Sequence, residues 1–231
     1  MGNSTWFLLR SGAGEAAFNM AVDEALLESL PRLGRPVLRF YGWIERAASF
    51  GYFQKYAEIE RLTGLRPLVR RPTGGGLVPH EADWTYSLAF PTEHAWYSLT
   101  ACESYRRVHE WIQAALTGLG LETELAPSPS RAQPGECFTG HEQSDLLWRG
   151  QKIAGAAQRR RREGLLIQGS LQPGCLSNAP ARVVWEQAMC DAARLREGAD
   201  WMGLPNDTGL EARARELAQQ KYSQADYNRK R

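Results

Sequence analysis

Arg70-Arg71-Pro72-Thr73-Gly74-Gly75-Gly76-Leu77-Val78-Pro79-His80 is the stretch on which the reading of this chain turns. Three consecutive glycines adopt backbone angles closed to other residues and let main-chain N–H groups come close to a phosphate, carboxylate or thioester oxygen. Two arginines add positive charge at the same place. A glycine-rich hairpin loop with solvated arginines has the same composition, and a lone triple glycine would be read that way. Neither the dinucleotide fingerprint nor the P-loop pattern is present, so no nucleotide site of those kinds is expected.

Downstream, Gly150-Gln151-Lys152-Ile153-Ala154-Gly155-Ala156-Ala157-Gln158-Arg159-Arg160 reads as a strand. Its alternation puts Lys152, Ala154, Ala156 and Gln158 on one face, an ammonium group beside a surface with little side-chain bulk. A long acyl chain fits such a surface while its carbonyl meets the cation; an edge strand with a surface lysine is the plainer alternative. If Arg149-Gly150 is a two-residue turn, Leu147 lies opposite Lys152 and Asp145 opposite Ala154. Asp145 then shares the lysine's face and can form an ion pair with it.

Working outward, Trp6–Leu9 reads as a strand and Glu15–Leu30 as a helix that Pro31 interrupts. Strand-like segments follow at Val37–Tyr41, Ala47–Phe50 and Pro67–Arg71, with a short helix near Ala57–Leu62. Trp84, Tyr86, Leu88 and Phe90 alternate as one face of a half-buried strand. From Ser98 to Leu119, Tyr105, Val108, Ile112, Ala115 and Leu116 trace one helical stripe that ends at Gly118 or Gly120. Pro127, Pro129 and Pro134 with two serines predict an exposed loop, and Cys137 follows it. Ser144–Trp148, Gln151–Gln158 and Leu165–Leu171 predict an antiparallel meander, and helices are expected at Ala181–Leu195 and Gly209–Tyr222. This order points to α+β, with helices packed on a mixed, largely antiparallel sheet in one domain spanning 1–231.

A chain of 231 residues, 43% hydrophobic, buries one full core. Its 28 basic and 26 acidic residues leave a net charge of +2, without the excess that nucleic-acid binding demands. No apolar run is long enough for a signal or a membrane span, so a soluble, cytoplasmic protein is expected. Trp6 stands where a myristoylation motif has Ser or Thr. Cys102, Cys137, Cys175 and Cys190 show neither zinc spacing nor disulfide density and read as reduced thiols, with Cys102 and Cys190 as small core residues.

The 70–80 stretch resembles, residue type by residue type, the arginine-arginine, triple-glycine, histidine signature of the lipoate–protein ligase and octanoyltransferase superfamily. Gly150 to Arg160 resembles that family's second signature, and Asp145-Leu146 the acidic residue and leucine before its lysine. Met20 to Leu27, Arg39 to Trp43, Ser49-Phe50-Gly51 and Gln168-Gly169-Ser170-Leu171 are similar in the same order, so the ordered set covers most of positions 15 to 171. The resemblance implies the catalytic-domain fold of biotin and lipoate protein ligases. It implies a substrate site with one side at Arg70, Arg71, Gly74, Gly75, Gly76 and His80. The other side is Asp145, Ala154, Gly155, Ala156, Gln168 and Gly169. The acyl group is octanoyl or lipoyl, and its acceptor a lysine of a lipoyl domain or glycine cleavage H protein.

Glu136-Cys137-Phe138 resembles the nucleophile position of the cysteine-dependent octanoyltransferases, which take their acyl group from acyl carrier protein. An ordinary thiol has a pKa of about 8.5, so a nearby cation must favour the thiolate, and Lys152 is the candidate. Cys137 and Lys152 are thus the expected catalytic pair, with no metal and no cofactor. The rival is a ligase using ATP and magnesium to form an acyl adenylate; a further rival is an inactive acyl-binding relative. Many ligases that work alone carry another C-terminal domain, for which the residues after Leu171 look too few. Gln168 stands where the family usually has histidine and cannot titrate, so His80 is either the proton acceptor or a structural residue. Cys175 lies too close to Gly169 for the other octanoyltransferase type. Arg159 to Arg162 form either a solvated tip or a docking surface for acidic carrier domains.

Overall fold

The computed structural model describes residues 4–130 and 140–230. β1 (Ser4–Gly14) leads into α1 (Ala16–Leu33), then β2 (Val37–Trp43), β3 (Ala47–Phe50), α2 (Tyr56–Leu62), β4 (Leu68–Arg70), β5 (Val78–His80) and β6 (Trp84–Phe90). α3 (Ala95–Ser98), α4 (Ala101–Thr117), β7 (Glu124–Leu125), β8 (Leu146–Trp148), β9 (Gln151–Arg161) and β10 (Gly164–Leu171) follow. After them come α5 (Arg182–Glu197), β11 (Ala199–Gly203), α6 (Thr208–Leu217) and α7 (Ala225–Asn228).

Among the described residues, eight strands form one sheet in the order β11-β1-β2-β6-β10-β9-β8-β7. Pairing is parallel at β11–β1 and β1–β2 and antiparallel from β2 onward, as the expected α+β class requires. β4, β3 and β5 make a small second sheet, with β3 parallel to β4 and antiparallel to β5. The meander β8–β9–β10 forms as read. Residues 199–203, not expected as a strand, pair with the far edge of β1.

The two faces of the large sheet divide the chemistry. One face, with Phe40, Trp84, Tyr86, Leu88, Ile167 and Leu171, packs against α4 and α5 in an apolar core. Trp6 stands in that core with its ring edge-on to Phe90, Trp111 and Trp201, at 5.4, 6.0 and 5.8 Å. Burial of such side chains is worth about 2–3 kcal/mol each. The opposite face carries Tyr41, Thr85, Ser87, Gln168 and Ser170 toward α1 and the small sheet. β6 is therefore buried along its whole length rather than half-buried, because both its faces are covered.

Pro31 does not end α1. It sits in the last turn, where it removes one hydrogen bond, and the helix closes at Gly34, whose N–H bonds the Leu30 carbonyl at 2.9 Å. α4 begins at a capping box, Thr100 with Glu103, and its C-cap is Gly118, one of the two ends expected. Cys190 is buried as expected, but Cys102 is exposed on the outer side of the first turn of α4.

Candidate active site

Between the polar face of the large sheet and the small sheet lies a cavity of about 780 Å³, in the range of small-molecule sites. Met20, Trp43, Leu62, Leu77 and Val78 give it apolar walls, and Gly155, Ala156 and Gly169 leave one wall with little bulk.

The glycine loop is built around Arg71. Its guanidinium is buried and donates to the carbonyls of Gly74 (3.0 and 2.5 Å), Gly76 (2.8 Å) and Ser49 (3.2 Å). In a trans peptide the C=O and the following N–H point in opposite directions, so the amides of Gly75 and Leu77 are directed away from Arg71. Gly75 takes φ 82°, a conformation that favours glycine. Gly51 backs the loop so closely that a Cβ there would lie 2.0 Å from the Gly75 oxygen. Among the described residues no carboxylate pairs with Arg71, so its charge is not locally neutralised. Burial lowers its pKa to about 10, which still leaves it cationic at neutral pH.

Arg70 goes elsewhere. Its guanidinium donates to the carbonyls of Tyr52 (2.7 Å), Gln54 (2.7 Å) and Asn228 (2.9 Å) and sits over the Phe50 ring, tying β4 to α7. It is absent from the cavity wall, as are Gly74, Gly75, Asp145 and Ala154, whereas Arg71, Gly76, His80, Gly155, Ala156, Gln168 and Gly169 are in it.

Lys152 lines the cavity, with its Nζ 2.6 Å from Asp145 Oδ2. The hairpin that unites them turns at Arg149-Gly150, both with positive φ, 52° and 77°, as a primed two-residue turn requires. The buried carboxylate also accepts from Tyr105 Oη (2.6 Å) and from the Glu142 N–H (2.7 Å). Burial first, then the Asp145 charge, pushes the Tyr105 phenol well above its ordinary range, so it remains a donor.

The face assignment of β9 needs correction. Leu147 opposes Lys152 as expected, but Leu146, not Asp145, opposes Ala154, because a bulge accommodates Ile153 as an extra residue. Ile153 and Ala154 both enter the α4-side core, and Gln158 bonds Ser104 of α4 at 2.7 Å. The lysine's face continues through Gly155, where an added Cβ would be 3.1 Å from Lys152 Nζ, and Ala157, which meets the glycine loop.

Gln168 is held at both ends. Its amide donates to Asp23 Oδ2 (2.7 Å) and accepts from Thr73 Oγ1 (2.8 Å). Asp23 is buried against Arg39 (2.7 Å) and also accepts from Tyr41 and Ser87, at 3.0 and 2.7 Å. A polar layer thus runs from α1 through Gln168 to the glycine loop, and the amide has no free function for catalysis. His80 is 3% exposed and stacks on Trp43 at 3.7 Å, with Ser49 on Nε2 and Asp83 on Nδ1. Asp23, Ser49 and Thr73 lie in the segments that carry the resemblance and Tyr105 in the α4 stripe, but the sequence assigns none of them a site role and does not single out Asp83; only the fold assembles them.

Cys137 lies outside the described residues. The chain on either side of it, Pro129 and Ser130 before and Gly140, His141 and Glu142 after, lines the cavity. Ser130 and His141 bridge one another by backbone bonds of 2.8 and 3.1 Å. Cys175 is half-buried, away from the cavity wall, and burial raises its thiol pKa. Among the described residues no cluster of His, Cys, Asp or Glu could hold a metal ion, and no helix is long and apolar enough to cross a membrane. The arginine run is largely built in: Arg159 bonds the Pro72 carbonyl (3.1 Å), Arg160 that of Leu99 (2.6 Å) and Arg161 the Glu24 carboxylate (2.8 Å). Arg160 and Arg162 are exposed, and Arg162 pairs only with its neighbour Glu163 among the described residues.

Residues 15–185 match the profile of the family described as the lipoyl protein ligase A/B catalytic domain. The octanoyltransferase LipM of Carboxydothermus hydrogenoformans is 39% identical over 175 residues, 72% of this chain and 64% of that protein. LipM of Bacillus subtilis is 35% identical over 188 residues, 74% of this chain and 66% of its own length. The chain therefore matches just under two thirds of these relatives. Among solved structures, a bi-partite lipoate protein ligase of Thermoplasma acidophilum, studied with its E2 lipoyl domain, superposes with TM-score 0.77 at 21% identity, covering 97% of this chain and 96% of that one.

Proposed function

The chain belongs to the lipoyl protein ligase A/B catalytic-domain family, and from that premise we propose that it moves an octanoyl- or lipoyl-type acyl group from acyl carrier protein to a lysine of a lipoyl domain or glycine cleavage H protein. The similarity to octanoyltransferases LipM supports transfer of octanoyl without ATP.

One observation carries the reading: the cavity is lined by Lys152 and by both flanks of the segment that holds Cys137. Gly140 follows Cys137 by three residues, a span of at most about 10 Å of chain. The Lys152 ammonium would favour the Cys137 thiolate, which attacks the thioester carbonyl of the donor; the donor's sulfur leaves and the acyl group resides on Cys137. Arg71 and the outward amides of the glycine loop supply positive potential for the developing oxyanion. The acceptor amine then displaces the Cys137 sulfur, exchanging a thioester for an amide. A thiol nucleophile requires a reducing compartment, so the cytoplasm is the expected location.

The test incubates the protein with octanoyl-loaded acyl carrier protein and apo lipoyl domain and weighs all three. The expected result is an added octanoyl on this protein and then on the lipoyl domain, both lost in Cys137→Ala. Transfer that requires ATP and survives Cys137→Ala would replace this reading with adenylate chemistry.

A further inference from the structure

We propose that Ser49, His80 and Asp83 form a relay that takes the proton from the lysine amine as it attacks the acyl group; this rests on the acyl-transfer reading above. Ser49 Oγ lies 2.8 Å from His80 Nε2, and His80 Nδ1 lies 2.9 Å from Asp83 Oδ2. Ser49 and His80 both line the cavity, although their strands β3 and β5 belong to the small sheet. The Asp83 carboxylate accepts from Thr85 and Ser170 as well, at 2.8 and 2.7 Å. An ionised Asp83 puts the ring proton of His80 on Nδ1. The Nε2 lone pair then faces the Ser49 hydroxyl, the arrangement that turns a hydroxyl into a proton acceptor. Burial raises the Asp83 pKa, but His80, Ser170 and Thr85 together lower it further, so the carboxylate stays charged.

The relay is close to the lysine head. Ser170, bonded to Asp83, is the register partner of Gly155 on the next strand, about 4.8 Å away. Gly155 in turn adjoins Lys152 Nζ. Of the other groups in the wall, Glu142 is a solvent-exposed carboxylate outside the hydrogen-bonded relay, and the rest are unsuited to receive a proton. Lys152 is ion-paired, the Gln168 amide cannot titrate, and the phenols of Tyr41 and Tyr105 hold their protons far above neutral pH. His141 also lines the cavity but has no carboxylate partner among the described residues to orient it. The charged and titratable groups facing His80 are Asp83, beyond its own strand, and Arg71, whose Nη1 is 3.4 Å from Ser49 Oγ. Tyr41 of β2 adds a phenol that senses Asp83.

In the step proposed, the amine nitrogen forms a bond to the acyl carbon and gives a proton to Ser49 Oγ, whose own proton passes to His80 Nε2. The carbon–sulfur bond breaks, and the proton on His80 returns to the departing thiolate. Amide and thiol result, with no net change in the relay.

The test uses the full chain, apo lipoyl domain and two alternative donors: octanoyl-loaded acyl carrier protein, or octanoate with ATP and magnesium. In Ser49→Ala and His80→Gln, amide formation should slow by about 10²-fold or more, while loading of this protein from the thioester, which takes no proton from an amine, slows far less. Amide formation in these variants should also rise with pH more steeply than in wild type, by about a further tenfold per unit, since hydroxide must replace the relay. Ser49→Ala removes one hydroxyl and can be read even if His80→Gln does not fold. A wild-type transfer rate and pH profile in Ser49→Ala, an equal fall in loading and transfer, or a loss confined to His141→Gln would each overturn the relay. Transfer from the ATP donor alone would remove the transferase reading and leave the relay to be judged on that donor. No wild-type transfer from either donor would overturn both.

Discussion

Lys152 and Asp145 meet at 2.6 Å with the carboxylate wholly buried and the ammonium in the cavity wall. The pair is held by a hairpin, a helix phenol and a backbone amide at once. On the proposed function, Lys152→Met removes the cation that favours the thiolate and should lower single-turnover acyl transfer by about 10²–10³-fold. Asp145→Asn should keep the Tyr105 contact yet release the lysine, with a smaller loss, about tenfold. Rapid-quench measurement of the acylated protein decides it, and equal rates for Asp145→Asn and wild type would show that the pairing has no part in placing the ammonium.

Gly51 and Gly75 are in backbone contact, so Gly51→Ala should push the glycine loop by more than 1 Å, given the 2.0 Å separation of the added Cβ from the Gly75 oxygen. The three Arg71 bonds to the loop carbonyls would be strained. Activity should fall about 10²-fold, as misplacement of that size does elsewhere, while circular dichroism retains the native signature. Activity within twofold of wild type would mean that the loop position is not required.

Gly169 and Tyr86 cross at the centre of the sheet. A Cβ at 169 would lie 2.2 Å from the Tyr86 ring, which is fully buried. Gly169→Ala should cost about 1–3 kcal/mol in denaturant unfolding as overpacking. Tyr86→Phe should be neutral or stabilising, because among the described residues the buried Tyr86 hydroxyl has no hydrogen-bond partner. A destabilised Tyr86→Phe would reveal a partner for that hydroxyl.

His109 is buried beside Tyr105, and burial lowers its pKa to about 4. In the unfolded chain it titrates near 6.5, so between those values the unfolded state binds more protons and stability falls as pH falls. The window runs from about pH 6.5 down to about 4. The loss attributable to this residue is about 3 kcal/mol. Urea melts of wild type and His109→Leu at pH 7 and pH 4 should differ by that amount in their pH sensitivity; parallel pH dependence would remove His109 as the cause.

Much of this site could be read before folding, because its signals are local. The Arg149-Gly150 turn sets Lys152 opposite Leu147, and hairpin register follows from turn chemistry. Gln168 was marked by its departure from a family pattern. What could not be read depends on distant pairings. β11 is too short to announce itself, and its partner β1 lies nearly the whole chain away. Ala154 looked like a cavity residue because strict alternation was assumed; the bulge reversed its direction. Asp23 and Ser87 belong to a helix and a strand that looked merely amphipathic and alternating, and their polarity has a partner only once the α1 face is closed. Arg70 and Arg71, adjacent and identical, were given one role, yet consecutive side chains on an extended backbone leave in opposite directions.

For redesign of the cavity's ligand preference, the extra residue at Ile153 changes where a library should be aimed. Randomising 153 and 154 would perturb packing beneath α4, whereas 155, 156 and 157 line the compartment.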